Sequence, residues 1–145
     1  MTLQLGHGCS ACAIKQGASI ETSMGFTPLE GLMMSTRSGD IDPALVLYLL
    51  RQGRAVDEVE DLLSRRSGLL GVGGMDDMRL LLRAEADGDA RAAFAIELFV
   101  RRIVATVGAY FTLLGGPAAL VFGGGIGENS AEIRRRVGIA SCTSP

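Results

Sequence analysis

The stretch that most constrains this chain is an apolar run that breaks into glycine, Ala118-Ala119-Leu120-Val121-Phe122 followed by Gly123-Gly124-Gly125-Ile126-Gly127 and the polar Glu128-Asn129-Ser130. It predicts a short buried strand, a tight turn and a helix opening near Glu128. Glycines between a strand and a helix let the backbone take positive φ and come within hydrogen-bonding distance of a ligand that a Cβ would push away. The free N–H groups at the start of the helix then face the same point, which suits a phosphate. The same pattern also serves where a sheet packs tightly against a helix, so the local motif leaves both readings open.

With 145 residues the chain is expected to form one domain with a buried core. Its formal net charge of -2, with both signs interspersed, gives no footprint for nucleic acid or an anionic membrane. The 20 glycines fall mostly in turns between apolar segments, which argues for tight backbone geometry over disorder. No apolar run reaches the ~20 residues of a membrane span, and Met1-Thr2-Leu3 carries no signal-peptide pattern, so the expected location is the cytoplasm. Cys9 and Cys12 form a C-x-x-C, but within a strand positions i and i+3 point to opposite faces, and no second pair completes a zinc site. Reduced, largely buried thiols are the expected state, with Cys142 far off in a tail.

Taken in order, residues 3–22 predict three short strands in an antiparallel meander, punctuated by Gly6-His7-Gly8 and turned at Gln16-Gly17. Ala11 and Ala13 alternate there with Cys12 and Ile14. Residues 24–43 lack periodicity, and an irregular loop that long in a small domain tends to be functional. Asp42-Pro43 caps an apolar helix over 44–52, and a second short helix sets Val56, Val59, Leu62 and Leu63 on one face. Residues 69–74 read as a glycine-rich connection, after which Asp76-Asp77 cap a helix carrying Met78, Leu81 and Leu82. The longest helix starts at Asp89 and ends at Gly115-Gly116-Pro117, with Ala93, Ile96, Val100, Ile103, Val104, Val107, Phe111 and Leu114 as its core face. Phe94, Phe99 and Tyr110 fall on flanking faces, for packing or for a partner subunit. The order predicts an α/β sheet of mixed direction whose last strand leaves an uncovered edge.

Four stretches together resemble the acetate and propionate kinase family: Glu21 to Gly31, Thr36-Arg37-Ser38-Gly39-Asp40-Ile41-Asp42-Pro43, Arg66 to Gly71, and Gly124-Gly125-Ile126-Gly127-Glu128-Asn129-Ser130. The resemblance runs from Leu3 to about Val137 and is to the C-terminal portion of a family whose chains are much longer. It implies an actin/sugar-kinase-like (ribonuclease H-like) α/β fold, here as a partial C-terminal domain over residues 1–145, without the N-terminal domain and extreme C-terminus. The implied reaction moves the γ-phosphoryl of ATP to a small carboxylate, acetate or propionate, with butyrate a further candidate. Arg37 then stabilises the transferring phosphoryl group. Pro28 lines the acyl pocket, Gly6, His7 and Gly8 bind phosphate, and Asp77, Met78, Arg79, Gly125, Ile126, Gly127 and Asn129 bind the nucleotide. A planar five-donor guanidinium suits that task because phosphoryl transfer rests on positioning and charge neutralisation. Without the flanking motif, Arg37 reads as a surface ion pair to Asp40 or Asp42.

Departures from the family pattern are also legible. The phosphate strand-turn His-Leu-Gly-Asn-Gly is here Gln4-Leu5-Gly6-His7-Gly8, so the position of the family's histidine holds an uncharged amide and phosphate contact there is expected to weaken. His7 has three readings: a turn residue in left-handed geometry, a phosphate donor, or a general base. Met78, Ser35 and Gly123 replace Phe, Gly and Thr. The family's magnesium ligands have no counterpart in this chain, so ATP and Mg2+ are expected with the metal held elsewhere and no metal residue named. The isolated chain is expected to bind nucleotide weakly and to catalyse little. It would then work as a homodimer or with a separately encoded N-terminal half; a non-catalytic nucleotide-binding or dimerisation fragment and a remnant that does not fold stably are the alternatives.

Overall fold

The computed structural model describes residues 1–116 and 119–142, with side chains through residue 138. Pro117, expected to end the longest helix, and Ala118, expected to open the last strand, lie outside the described residues, as do the Cys142 side chain and Pro145. The meander forms as expected from β1 (Thr2–Leu5), β2 (Cys9–Lys15) and β3 (Ala18–Thr22). Gln16 and Gly17, at φ 52° and 80°, make the two-residue left-handed turn that matches strand twist. β4 (Val121–Gly123) pairs in parallel with β1, giving the order β3-β2-β1-β4. Register sets Leu3 opposite Ala11 and Leu5 opposite Cys9, and these four residues with Ala13 bury one sheet face. Cys12 turns the other way, where its Sγ lies 3.1 Å from Ser19 Oγ, so the two thiols of the C-x-x-C diverge.

Along the chain follow α1 (Pro43–Arg51), α2 (Val56–Arg65), α3 (Gly68–Gly73), α4 (Met78–Ala86) and the 25-residue α5 (Ala90–Leu114). Asp42, Asp77 and Asp89 cap α1, α4 and α5 through their carboxylates. Three expectations need correction here. Val56 is exposed, so only Val59 and Leu63 of the α2 set are buried. The connection read at 69–74 is instead the helix α3. A Cβ on its Gly73 would stand 2.6 Å from Leu81 Cδ2 and 2.9 Å from Ala95 Cβ, so the glycine lets α3 nest against α4 and α5, and that packing overrides a poor helix propensity. The buried stripe of α5 is Ala92, Ala95, Ile96, Phe99, Ile103, Val107 and Tyr110, so Phe99 and Tyr110 are core while Phe111 faces outward. Ile96, Ile103 and Val107 belong to both stripes, while Ala93, Val100 and Phe111 stand one residue, about 100° of helix rotation, beyond the buried Ala92, Phe99 and Tyr110.

The loop over 24–43 is irregular, as expected, yet Leu32, Met33, Met34 and Ser35 within it are buried in the core. Its backbone is satisfied by cross-links: Ser35 N donates to His7 O (3.1 Å), Leu69 N to Met34 O and Leu70 N to Ser35 O (both 2.9 Å). The glycine stretch also differs from expectation. It coils into the short helix α6 (Gly124–Asn129), and a second helix, α7 (Ala131–Cys142), follows Ser130. Among the described residues the sheet ends on β4, whose outer edge has no paired strand.

Candidate functional site

The β1–β2 turn, the start of α4 and α6 converge on a cavity of about 690 Å³. Gly6 and His7 come from the turn, Asp77, Met78 and Arg79 from α4, and Gly125, Ile126 and Asn129 from α6, so eight expected site residues line it. The two glycine bends touch: a Cβ on Gly6 would stand 3.6 Å from Gly125 N. Gly124 has φ 78°, and a Cβ there would stand 2.6 Å from Leu5 O, so this bend closes over the end of β1 only as glycine. Ser35, Asp76, Leu82 and Ser130 also line the cavity and were not singled out as site residues. Leu82 had a usable signal, since it follows Met78 by four positions and shares its helix face. Ser35 had one in its departure from the family's glycine, although burial of an irregular loop leaves no periodicity in sequence.

Gly8, Arg37, Pro28 and Gly127 do not line this cavity. Gly127 is buried where a Cβ would meet Phe122 and Leu5 Cβ at 3.5 and 3.6 Å, so it serves helix-on-sheet packing. Arg37 stands on the other side of the His7 turn: a Cβ on Gly8 would be 3.5 Å from its Nη1. That nitrogen donates to Pro28 O at 3.1 Å and lies 3.5 Å from Met34 Sδ. Among the described residues no carboxylate pairs with Arg37; Asp40 accepts from Gly31 N and Asp42 caps α1. The ion-pair reading of Arg37 is therefore set aside. Its guanidinium and Ile126 flank one shared turn.

Several local roles differ from those expected. His7 is not left-handed, since Gln16 alone among the described non-glycine residues has positive φ. The first N–H of the glycine bend is already used, Gly124 N donating to Glu128 Oε1 at 3.0 Å. Asn129 Nδ2 donates back to Gly125 O at 2.9 Å, bracing α6 from within. Asp77 accepts from Arg79 N and from its guanidinium Nε at 2.8 and 3.0 Å, and these bonds hold its carboxyl at about 2, well below the ordinary value. Asp77 and Arg79 thus cancel each other's charge at the cavity mouth. Among the described residues no group of three or more His, Cys, Asp or Glu could hold a metal ion.

The model of the Acetokinase family matches residues 1–141. The chain belongs to this family. Curated acetate kinases from Synechococcus sp. (strain JA-2-3B'a(2-13)) and Syntrophobacter fumaroxidans are 53% and 54% identical over 135 and 136 residues. These alignments cover 92% and 93% of this chain and 34% and 33% of the relatives. Among solved structures, a propionate kinase from Francisella tularensis subsp. tularensis superposes with a TM-score of 0.91 at 47% identity, covering 94% of this chain and 36% of that one. The acetate kinase of Porphyromonas gingivalis gives 0.91 at 42% identity, covering 94% and 35%. The fold is therefore the actin/sugar-kinase-like α/β fold of these kinases, as the family resemblance implied. The chain spans about a third of the length of the relatives it matches.

Proposed function

We propose that this chain contributes the nucleotide side of an ATP-dependent carboxylate kinase, as part of the longer assembly its relatives represent. The observation that carries this reading is the single cavity joining both glycine bends to the Asp77-Met78-Arg79 segment. Its walls are graded. Met78, Leu82 and Ile126 offer an apolar slot suited to adenine, Asp76 and Asp77 offer acceptors suited to ribose hydroxyls, and Gly6 and His7 stand on the side that leads to Arg37. In that pose the phosphates run along the Gly6-His7-Gly8 turn toward the guanidinium. A carboxylate oxygen of acetate or propionate attacks the γ-phosphorus as the bond to the β-phosphate oxygen breaks, and ADP leaves. No base is required, since the acceptor is already ionised at neutral pH. Arg37 neutralises charge on the transferring group, and Pro28, whose carbonyl holds Arg37, borders the acyl group. Magnesium, held by ligands on other parts of the assembly, would supply further neutralisation of phosphate charge, and the reaction would run in the cytoplasm.

The test is a pair of measurements on the isolated chain, adenine nucleotide binding and a coupled assay for acetyl phosphate. Weak ADP binding with little turnover is expected, because much of the cleft is needed to position both substrates. Turnover at ordinary enzymatic rates would overturn the need for further domains. No nucleotide binding, and no activity on mixing with a family N-terminal domain, would overturn the kinase reading.

A second reading, a dimerisation or assembly fragment, draws on the apolar surface. α1 buries no residue despite Leu45, Leu47 and Tyr48, and Phe94 and Phe111 of α5 are exposed. A homodimer, or docking of a separately encoded N-terminal half, would cover such faces. A concentration-independent monomer mass by light scattering, unchanged by that half, would exclude it.

A further inference from the structure

Ser35 offers chemistry outside the roles already assigned. It is the one buried polar residue among the described residues, 2% exposed, yet it lines the cavity. Its backbone is fully engaged: the N–H donates to His7 O at 3.1 Å and the carbonyl accepts from Leu70 N at 2.9 Å. Its hydroxyl has no hydrogen-bond partner among the described residues, and since no side-chain oxygen among them is both sealed and unpaired, the sliver of surface Ser35 keeps includes that oxygen. A hydroxyl so placed loses bulk water without gaining a protein partner, a cost a folded protein retains where something else supplies the bond.

We propose that the Ser35 hydroxyl is a side-chain ligand for a nucleotide phosphate, a contact that the glycine of the family motif does not provide. This deepens the function proposed above and rests on it. The position favours phosphate over adenine or ribose. Ser35 is bonded to the backbone of the His7 turn and lies two residues before Arg37, whose guanidinium meets the same turn at Gly8 and has no carboxylate partner among the described residues, whereas the Arg79 guanidinium is already paired with Asp77. A hydroxyl can donate to a phosphate oxygen as the rotor turns, and a fixed backbone holds it there.

The experiment compares the chain with S35A, measuring ADP and adenosine affinity by calorimetry and the thermal midpoint without ligand. S35A is expected to weaken ADP roughly tenfold, the size of one hydrogen bond to a charged group, and to leave adenosine within about twofold. Its ligand-free midpoint should stay level or rise, because an unpaired hydroxyl leaves the interior. Equal ADP affinity in both proteins, equal losses for ADP and adenosine, or a lowered midpoint would each overturn the assignment while leaving the nucleotide site standing. Failure of the unaltered chain to bind either compound would overturn the nucleotide site and Ser35 with it.

Discussion

Arg136 grips Glu85 with both terminal nitrogens, Nη1 to Oε1 at 2.9 Å and Nη2 to Oε2 at 2.8 Å, across 51 residues of chain. The same guanidinium holds Glu132 through Nε at 2.7 Å, and this carboxylate pairing pushes its pKa further up. The fork ties α7 to the end of α4, the helix whose first turns line the cavity. Replacing Arg136 by Ala strands Glu85 and is expected to cost roughly 1–2 kcal/mol, the range for a partly screened bidentate pair. Chemical denaturation checks this; an unchanged midpoint would reduce the fork to a surface contact.

The two glycines at the start of α6 should answer substitution differently. G124A forces a side chain into left-handed geometry and against Leu5 O, at an expected cost of about 2 kcal/mol or more. A Cβ on Gly125 meets nothing within 4 Å, so G125A should keep the thermal midpoint. Because that Cβ enters the cavity lining, G125A is expected to weaken adenine nucleotide binding several-fold. Thermal unfolding and ligand titration of both variants separate fold from site.

The phase of α5 is testable with its phenylalanines. Phe99 is 0% exposed and Phe94 58%. F99A should cost about 3–5 kcal/mol through lost burial and the cavity left behind, and F94A under about 1 kcal/mol. Equal losses would mean that the expected stripe, with Phe99 on a flank, is the right one.

Burial pushes the Cys9 thiol up from 9.0 to about 11. A group whose pKa is raised by folding adds stability while it stays protonated in both states. That contribution is whole below about pH 9 and is lost as pH climbs toward 11. The unfolding midpoint should fall across that window, and C9A should flatten the fall. In a C142S background a thiol reagent at neutral pH should label Cys12 and spare Cys9, since only Cys9 is fully enclosed.

Much of this architecture was readable because it rests on local chemistry. The β2–β3 turn follows from Gln16-Gly17, and Asp42, Asp77 and Asp89 announce the helices they cap. The strand alternation that sends Cys9 inward and Cys12 to the other face follows from a two-residue period. At the site, the motifs named eight of the cavity-lining residues, because each motif is a contiguous piece of backbone. Gly127 belonged to the same motif and faces Leu5 and Phe122 instead, since neighbours on a turn need not point the same way.

By itself, then, the amino-acid sequence determined the meander, the capped helices α1, α4 and α5, and the motifs that mark the family, all set by interactions spanning a few residues. Tertiary structure decided that residues 68–73 are helical, that Phe99 faces inward, that the Met34-Ser35 loop runs through the core, and that Gly125 and Arg37 meet the two ends of one turn, at Gly6 and Gly8. Those outcomes depend on which distant surface each segment buries against, and burial energy is a property of the assembled pair of surfaces that neither segment carries alone.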